Sequence, residues 1–434
     1  MNKIGLRKEE KAFETRVAVV PEHASQLSKE HDVQFVLEPS DQRAFQPEEY
    51  ESIGVKAEPL KGSDTSIILG IKEMPINFFE PRKVYIFFSH TIKGQSYNMP
   101  MLKRIMDVGA TLIDYERVVD SSGRRLIFFG NWAGMAGISD TLRVLGERLD
   151  LDGISPNPFS GMKPTIELKD VNGLKEEFNA LGMRIKKQGL PNSLVPFVIG
   201  FAGYGNVSRG AQEIFDILPH EIITPKDLSS LTPKNDVIYK CVFKEEHMVE
   251  PRDPSANFEL QDYYKHGSSK YKGTFHNHVP HLTVLMNCIY WSSKYPRLVT
   301  KDFIRDHWHM ETRKLVVVGD ISCDVEGAIQ FTLKCTHPDK PAFTYLVKED
   351  RAELGVVGDG PVVMAVDNLP SELPREASTS FSETLIDFIP PLANADFTMP
   401  FEELKLPQEL TDAIIVYQGK LTKNFEYLTQ YLPT

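Results

Sequence analysis

At 434 residues, 41% hydrophobic and 25% charged, the chain has the length for two or three domains and too many apolar side chains for wholesale disorder. Its formal net charge of −11 argues against nucleic acid or an anionic membrane as partner, while leaving room for local basic patches around an anionic substrate. Cys241, Cys288, Cys323 and Cys335 have no CxxC spacing, so free thiols in a reducing compartment are expected rather than a disulfide framework or zinc site.

The opening MNKIGLRKEEKAF lacks the apolar core of a signal peptide, and no stretch is long and apolar enough to cross a bilayer; a cytoplasmic enzyme is the expectation. Short β-rich runs follow at Lys3 to Arg7, Val33 to Leu37, Ser66 to Ile71, Lys83 to Ser89 and Thr111 to Asp114. Helical periodicity separates them over Pro21 to His31 and Ser96 to Val108. This alternation predicts βαβ units and a doubly wound parallel sheet. Asn131 to Leu149 reads as a long helix whose Ala133, Gly134, Ala136 and Gly137 permit close backbone approach. The Pro- and Gly-rich LDGISPNPFSGMKP after it is the candidate boundary. From Glu167 a second α/β unit takes over, with strands at Phe197 to Gly200, Glu221 to Thr224, Val237 to Phe243, Lys314 to Gly319 and Val362 to Val366. VLMNCIYW reads as an apolar helix-like run, and the final helix candidate lies near Leu410 to Tyr417.

The most informative segment is PFVIGFAGYGNVSRGAQEIF, from Pro196, where an apolar strand turns through Gly203, Tyr204 and Gly205 into a helix beginning at Asn206 and Val207. A strand, glycine turn and helix of this kind holds a pyrophosphate on backbone N–H groups, so a dinucleotide cofactor is expected. The pattern is GxGxxS rather than GxGxxG, and a structural glycine turn is the alternative it has to beat. The acidic residue that takes the ribose hydroxyls about twenty residues on falls at Thr224. With no carboxylate there and Lys226 close by, NADP is as plausible as NAD; Asp227 keeps NAD open.

GIKEMP puts Lys72 at the end of one apolar strand, and YIFFSHTIKGQ puts His90 at the end of the next. In open α/β sheets that edge is where ligands bind. Histidine titrates nearest neutrality and lysine is tuned down by burial, so the pair suits proton transfer at an imine or carbonyl. Taken singly, each is as well read as a solvated lysine or a capping histidine. Arg7, Arg16, Arg124 and Arg125 lie near the same edge as candidate carboxylate partners. His276, His278 and His281, with His307 and His309 nearby, lack an accompanying Cys or acidic triad, and no metal site is expected from them.

The blocks FETRVAVVPEH, GIKEMP, FFSHTIKGQ, DYERVVD, RRLIFFGNWAGMAG, GYGNVSRGAQEIF, IYWSSKYPRLVT, VVGDISCD and VDNLPSELPREAS span nearly the whole chain. Through them it resembles the lysine 2-oxoglutarate reductase domain of aminoadipic semialdehyde synthases and, more distantly, the saccharopine and alanine dehydrogenases. The resemblance implies two Rossmann-like doubly wound parallel-sheet domains with a cleft between them. Residues 1–130 with 367–434 would form a discontinuous substrate domain, and 131–366 the dinucleotide-binding domain. It implies acid–base roles for Lys72 and His90, substrate binding by Arg16, Arg125, Phe129 and Tyr290, and cofactor contacts from Gln95, Arg124, Gly203, Tyr204, Gly205, Asn206, Val207, Thr224, Asp320, Ile321 and Ser322. The implied reaction is NAD- or NADP-dependent condensation of lysine with 2-oxoglutarate to saccharopine, or its reverse. An alanine dehydrogenase-type or other opine or imine reductase, or a non-catalytic nucleotide-binding subunit, is the alternative. A homo-oligomer and a separate saccharopine-oxidising enzyme are further partners compatible with the resemblance.

Overall fold

The computed structural model describes residues 2–311 and 313–433. Six strands open the chain: β1 (Ile4–Leu6), β2 (Phe35–Leu37), β3 (Lys56–Ala57), β4 (Ile67–Leu69), β5 (Val84–Phe87) and β6 (Thr111–Asp114). Ten follow: β7 (Val198–Ala202), β8 (His220–Ile223), β9 (Ile238–Phe243), β10 (Val249–Pro251), β11 (Tyr271–Gly273), β12 (Val284–Asn287), β13 (Val317–Asp320), β14 (Ala342–Leu346), β15 (Arg351–Leu354) and β16 (Val362–Met364). Strands β17 (Ile414–Tyr417) and β18 (Lys420–Leu421) end the set. The chain divides into two compact units, one running up to Phe129 and resuming at Pro374, the other Gly130–Leu373. The Pro- and Gly-rich segment after Leu151 lies inside the second unit, where Phe159 is fully buried.

The first unit is an eight-stranded sheet in the order β18-β17-β6-β5-β4-β1-β2-β3. Its first six strands run parallel, and β17 joins β6 antiparallel. Both faces are covered, which is why these strands read as unbroken apolar runs rather than alternating ones. Ile4, Leu6, Ile67, Leu69, Val84 and Ile86 pack into the core on one face. Ile68, Tyr85 and Phe87 point to the other. The helix Pro374–Leu385 is fastened to the Arg16 segment, where Ser378 Oγ accepts the Val17 N–H at 3.0 Å and Ser382 Oγ that of Val20 at 3.1 Å.

The second unit is also eight-stranded, β15-β14-β16-β13-β12-β7-β9-β8, with β14 alone running against the others and so antiparallel to both its neighbours, β15 and β16. Phe197, Ile199, Phe201, Val284 and Met286 bury on one face, and Val198, Ala202, Leu285 and Val318 on the other. Its long helix Gly130–Leu151 crosses the helix Asn206–Phe215 through Gly134 and Gly210.

Two expected helices are strands. VLMNCIYW contains β12, hydrogen-bonded on both sides by β7 and β13. Near Leu410 to Tyr417 only Gln408–Thr411 is helical, and the β-branched Ile414, Ile415 and Val416 form buried strand β17 beside β6.

Two buried carboxyls in the second unit make its stability pH-dependent. Asp140 and Glu372 are buried close enough to repel each other, and Asp140 Oδ2 and both Glu372 carboxylate oxygens face no hydrogen-bond donor among the described residues, an arrangement that calls for a proton held between them. Burial, then their mutual repulsion, raises Glu372 well above the usual carboxylate range; burial likewise raises Asp140, against the pull of Arg143. The folded chain therefore keeps a proton that the unfolded chain releases. Its stabilising effect is complete in acid below the ordinary carboxylate pKa and is lost as pH rises through the raised value. Glu372→Gln puts a permanent N–H donor in place of that proton. Urea unfolding should show the variant about 1–2 kcal/mol more stable than the parent near pH 8 and no better near pH 5. An unchanged difference between the two pH values would show that no proton is shared.

Candidate active site

In the first unit β1, β4 and β5 are parallel neighbours, so their carboxyl ends share one edge of the sheet. Lys72 follows β4, and His90 follows β5 with its backbone in the left-handed region at φ 49°. A non-glycine residue held there costs energy and is a mark of sites whose geometry is imposed by their surroundings. Glu9, just beyond β1, fastens the end of β4: its Oε1 accepts the Ile71 N–H at 2.7 Å and its Oε2 the Lys72 N–H at 3.0 Å. Burial and the nearby Glu14 push the Glu9 carboxyl up to about 7. Burial also lowers the Lys72 amine, and the charge of Arg16 adds to it, making Lys72 a better proton acceptor near neutrality than an exposed lysine.

His90 Nδ1 lies 2.5 Å from Glu73 Oε1. Burial would raise the Glu73 carboxyl, but the hydrogen bond and charge of His90 override it and hold the group down at about 2. An ionised Glu73 assigns the hydrogen to Nδ1 and leaves Nε2 to meet a reacting group. Behind this pair, Asp114 at the end of β6 accepts the Ser89 N–H at 3.1 Å and the Glu116 N–H at 2.7 Å, tying the His90 turn to the next strand.

The arginines are more committed than their sequence positions suggest. Arg16 is buried and bidentate to Glu14, through Nε at 2.8 Å and a terminal nitrogen at 2.5 Å. Its guanidinium lies 4.0 Å over the Phe129 ring, which stacks on Phe381 at 4.6 Å. Arg7 is buried between Glu10 and Glu38. Arg125 pairs with Glu116 at 3.2 Å, and Arg124 with Asp120 at 2.8 Å on the surface. Gln95 Oε1 accepts the Lys93 N–H at 3.1 Å. Glu9, Glu14 and Glu73 carry no signal that the sequence alone picks out, although Glu14 and Glu73 lie inside the blocks FETRVAVVPEH and GIKEMP.

In the second unit β7 ends at Ala202, and Gly203 turns with φ 95°, donating its N–H to Phe243 O at 2.9 Å. A side chain there would be strained whatever the space, and would approach Ile289 at 3.0 Å. The helix Asn206–Phe215 starts one residue after Gly205, with Val207 in its first turn. A cavity of about 350 Å³ opens beside the turn, lined by Gly203, Tyr204, Gly205, Glu245, Tyr264 and Tyr290. Space, a side-chain-free turn and a helix N-terminus together fit a pyrophosphate and its attached nucleosides. At the ends of β12 and β13, Asn287 Nδ2 donates to Asp320 Oδ1 at 2.8 Å and Thr332 Oγ1 to Oδ2 at 2.6 Å. Burial nonetheless pushes Asp320 up to about 6. Ile321 is buried and Ser322 Oγ donates to Ile289 O, which anchors the loop.

Thr224 is not brought to this cavity. Its strand β8 is the edge of the sheet, separated from β7 by β9, and its N–H and Oγ1 both bond Asp227 Oδ2, at 2.8 and 2.7 Å. The histidines have structural partners: His278 Nε2 faces His247 O at 3.0 Å, and His307 stacks on Phe303 at 4.1 Å.

Two Rossmann-like sheets, one with a glycine turn at a helix N-terminus and the other with a lysine and a histidine on its carboxyl edge, place the molecule among two-domain α/β proteins of the dinucleotide-binding class. The chain belongs to the alanine dehydrogenase/PNT family: the family's N-terminal domain matches residues 5–136 and its C-terminal domain residues 246–424. It is 36% identical over 438 residues to an alpha-aminoadipic semialdehyde synthase of Arabidopsis thaliana, covering 96% of this chain and 40% of that protein. The chain thus spans less than half the length of that relative. It is 28% identical over 403 residues to a saccharopine dehydrogenase (NAD(+), L-lysine-forming) of Emericella nidulans, covering 89% of this chain and 90% of that one. An L-alanine dehydrogenase structure shares the fold at 16% identity, with a TM-score of 0.62 over 99% of this chain and all of that one. Among the described residues no helix is long and apolar enough to cross a membrane.

Proposed function

We propose that the chain is an NAD(P)-dependent oxidoreductase acting on a CH–NH group, joining L-lysine to 2-oxoglutarate as saccharopine or running the reverse. The observation that carries this reading is the half-buried Lys72 amine on the same sheet edge as His90 with its Glu73 partner. Amine condensation with a ketone needs one group to take a proton from the incoming amine and another to protonate the departing hydroxyl. Lys72, whose hold on its own proton is weakened by burial, takes the proton from the amine nitrogen and returns it to the carbonyl oxygen as the carbinolamine forms. His90, when it carries a proton on Nε2 as well as the Nδ1 hydrogen that Glu73 holds, gives the Nε2 proton to the carbinolamine hydroxyl, so that water leaves and the iminium forms. Arg16 and Arg125 hold substrate carboxylates, with Glu14 giving way as Arg16's partner. A nicotinamide dinucleotide, when bound, would supply the hydride that reduces the iminium carbon to the secondary amine.

Absorbance of NADH and NADPH followed with lysine, other amines, and several 2-oxo acids tests the assignment. Lysine with 2-oxoglutarate is expected to give the fastest oxidation. Faster turnover with ammonia and pyruvate would replace this reading with an alanine dehydrogenase-type one.

A further inference from the structure

The strand order of the second unit moves the adenosine end of the cofactor site. In a dinucleotide-binding sheet the residue that receives the ribose hydroxyls stands at the end of the strand beside the glycine-turn strand. That neighbour is β9, paired with β7 from Val198↔Tyr239 to Ala202↔Phe243. Strand β8 lies beyond it, so Thr224 is two strand spacings, roughly 10 Å, from the strand that carries the turn. Asp227 has one carboxylate oxygen bonded twice within its own turn and stands on the surface.

Glu245 occupies the vacated position. It comes two residues after Phe243, the residue whose carbonyl receives the Gly203 N–H, and it lines the same cavity as Gly203, Tyr204 and Gly205. Its Oε1 accepts the Tyr264 hydroxyl at 2.7 Å, and Tyr264 and Tyr204 line the same cavity, so the carboxylate is held by a phenol on the cavity wall. We propose that Glu245, at the end of β9, is the acceptor for the adenosine ribose hydroxyls and makes this site select the dinucleotide without a 2′-phosphate. The inference rests on the proposal of a dinucleotide-dependent enzyme and adds its cofactor preference. A ribose diol offers two O–H donors to one carboxylate, whereas a 2′-phosphate would bring a second anion against Glu245. Lys226, Lys244 and Glu246 are exposed around this turn, and Lys244 and Glu246 flank Glu245 in sequence without lining the cavity.

Direct titration of the full chain with NADH and with NADPH, read by calorimetry, tests this without any turnover. The parent is expected to bind NADH more tightly than NADPH. Glu245→Gln should weaken NADH by roughly tenfold to a hundredfold and bring the two affinities to within about threefold, because a charged acceptor is lost and the repulsion with it. Glu245→Ser, with a shorter side chain, should repeat the loss of discrimination, while Asp227→Asn should move neither affinity by more than about twofold. Tyr264→Phe keeps the carboxylate and should preserve the preference for NADH. Tighter NADPH binding by the parent, or loss of discrimination in Asp227→Asn but not in the Glu245 variants, overturns the assignment and leaves the dinucleotide reading standing. Binding of neither nucleotide by the parent would remove both.

Discussion

Lys72→Met and His90→Ala are each expected to lower kcat by about 10²–10⁴ while leaving the dissociation constant for NADH within about threefold. The separation follows from where the groups sit. Both belong to the carboxyl edge of the first unit's sheet, whereas Gly203, Asn206 and the cavity beside them belong to the second. Losing Lys72 removes an amine whose hold on its proton is weakened by burial, and losing His90 removes the ring that Glu73 orients through a 2.5 Å contact. The acid limb of kcat/KM in the parent should fall below the usual lysine range, because lowering of the Lys72 pKa extends its neutral form toward neutral pH. Lys72→Met should abolish the part of that limb due to the amine, and a fold defect would not. Single-turnover and equilibrium titration measurements on the same preparation decide the matter. Equal losses of turnover and NADH binding would mean that Lys72 and His90 support the fold instead of the reaction.

The division between what could be read from sequence and what could not follows the range of the interactions involved. Runs such as Val84–Phe87 and Thr111–Asp114 were legible because strands buried on both faces are apolar throughout and are punctuated by turns. The placement of Lys72 and His90 just beyond strand ends was legible from the same runs. Ile414–Tyr417 was misread as helix because its strand identity comes from pairing with β6, about three hundred residues earlier in the chain. The order β7-β9-β8 was invisible for the same reason: nothing local in HEII or IYKCVF says which of the two lies beside the glycine turn. Glu9 and Glu73 were hidden among other charges, and only the 2.7 and 2.5 Å contacts of their carboxylates distinguish them from a solvated surface.

Gly134→Ala is expected to destabilise the protein by about 3 kcal/mol, opposite in sign to the usual effect of alanine in a helix. A Cβ at Gly134 would stand 2.0 Å from Val207 O and 2.6 Å from the Ala211 nitrogen. The same crossing is closed from the other helix, where a Cβ at Gly210 would meet Asn131 O at 2.0 Å. These obstacles are backbone, so no side-chain rotation relieves them and one helix has to move. The helix Asn206–Phe215 would carry its N-terminus and the glycine turn with it, so the dissociation constant for NADH should rise together with the loss of stability. Gly182 in the helix Val171–Gln188 supplies the control: it is buried, yet a Cβ there would find its nearest neighbour, Pro219 Cδ, at an ordinary 3.5 Å. Gly182→Ala should therefore gain about 0.5–1 kcal/mol from the lower chain entropy of alanine. Urea unfolding of Gly134→Ala, Gly210→Ala and Gly182→Ala should order the three with the last above the parent and the first two well below. If Gly134→Ala unfolds at the parent's midpoint, the two helices do not meet backbone to backbone, and the small residues at the start of Gly130–Leu151 have no role in placing the glycine turn.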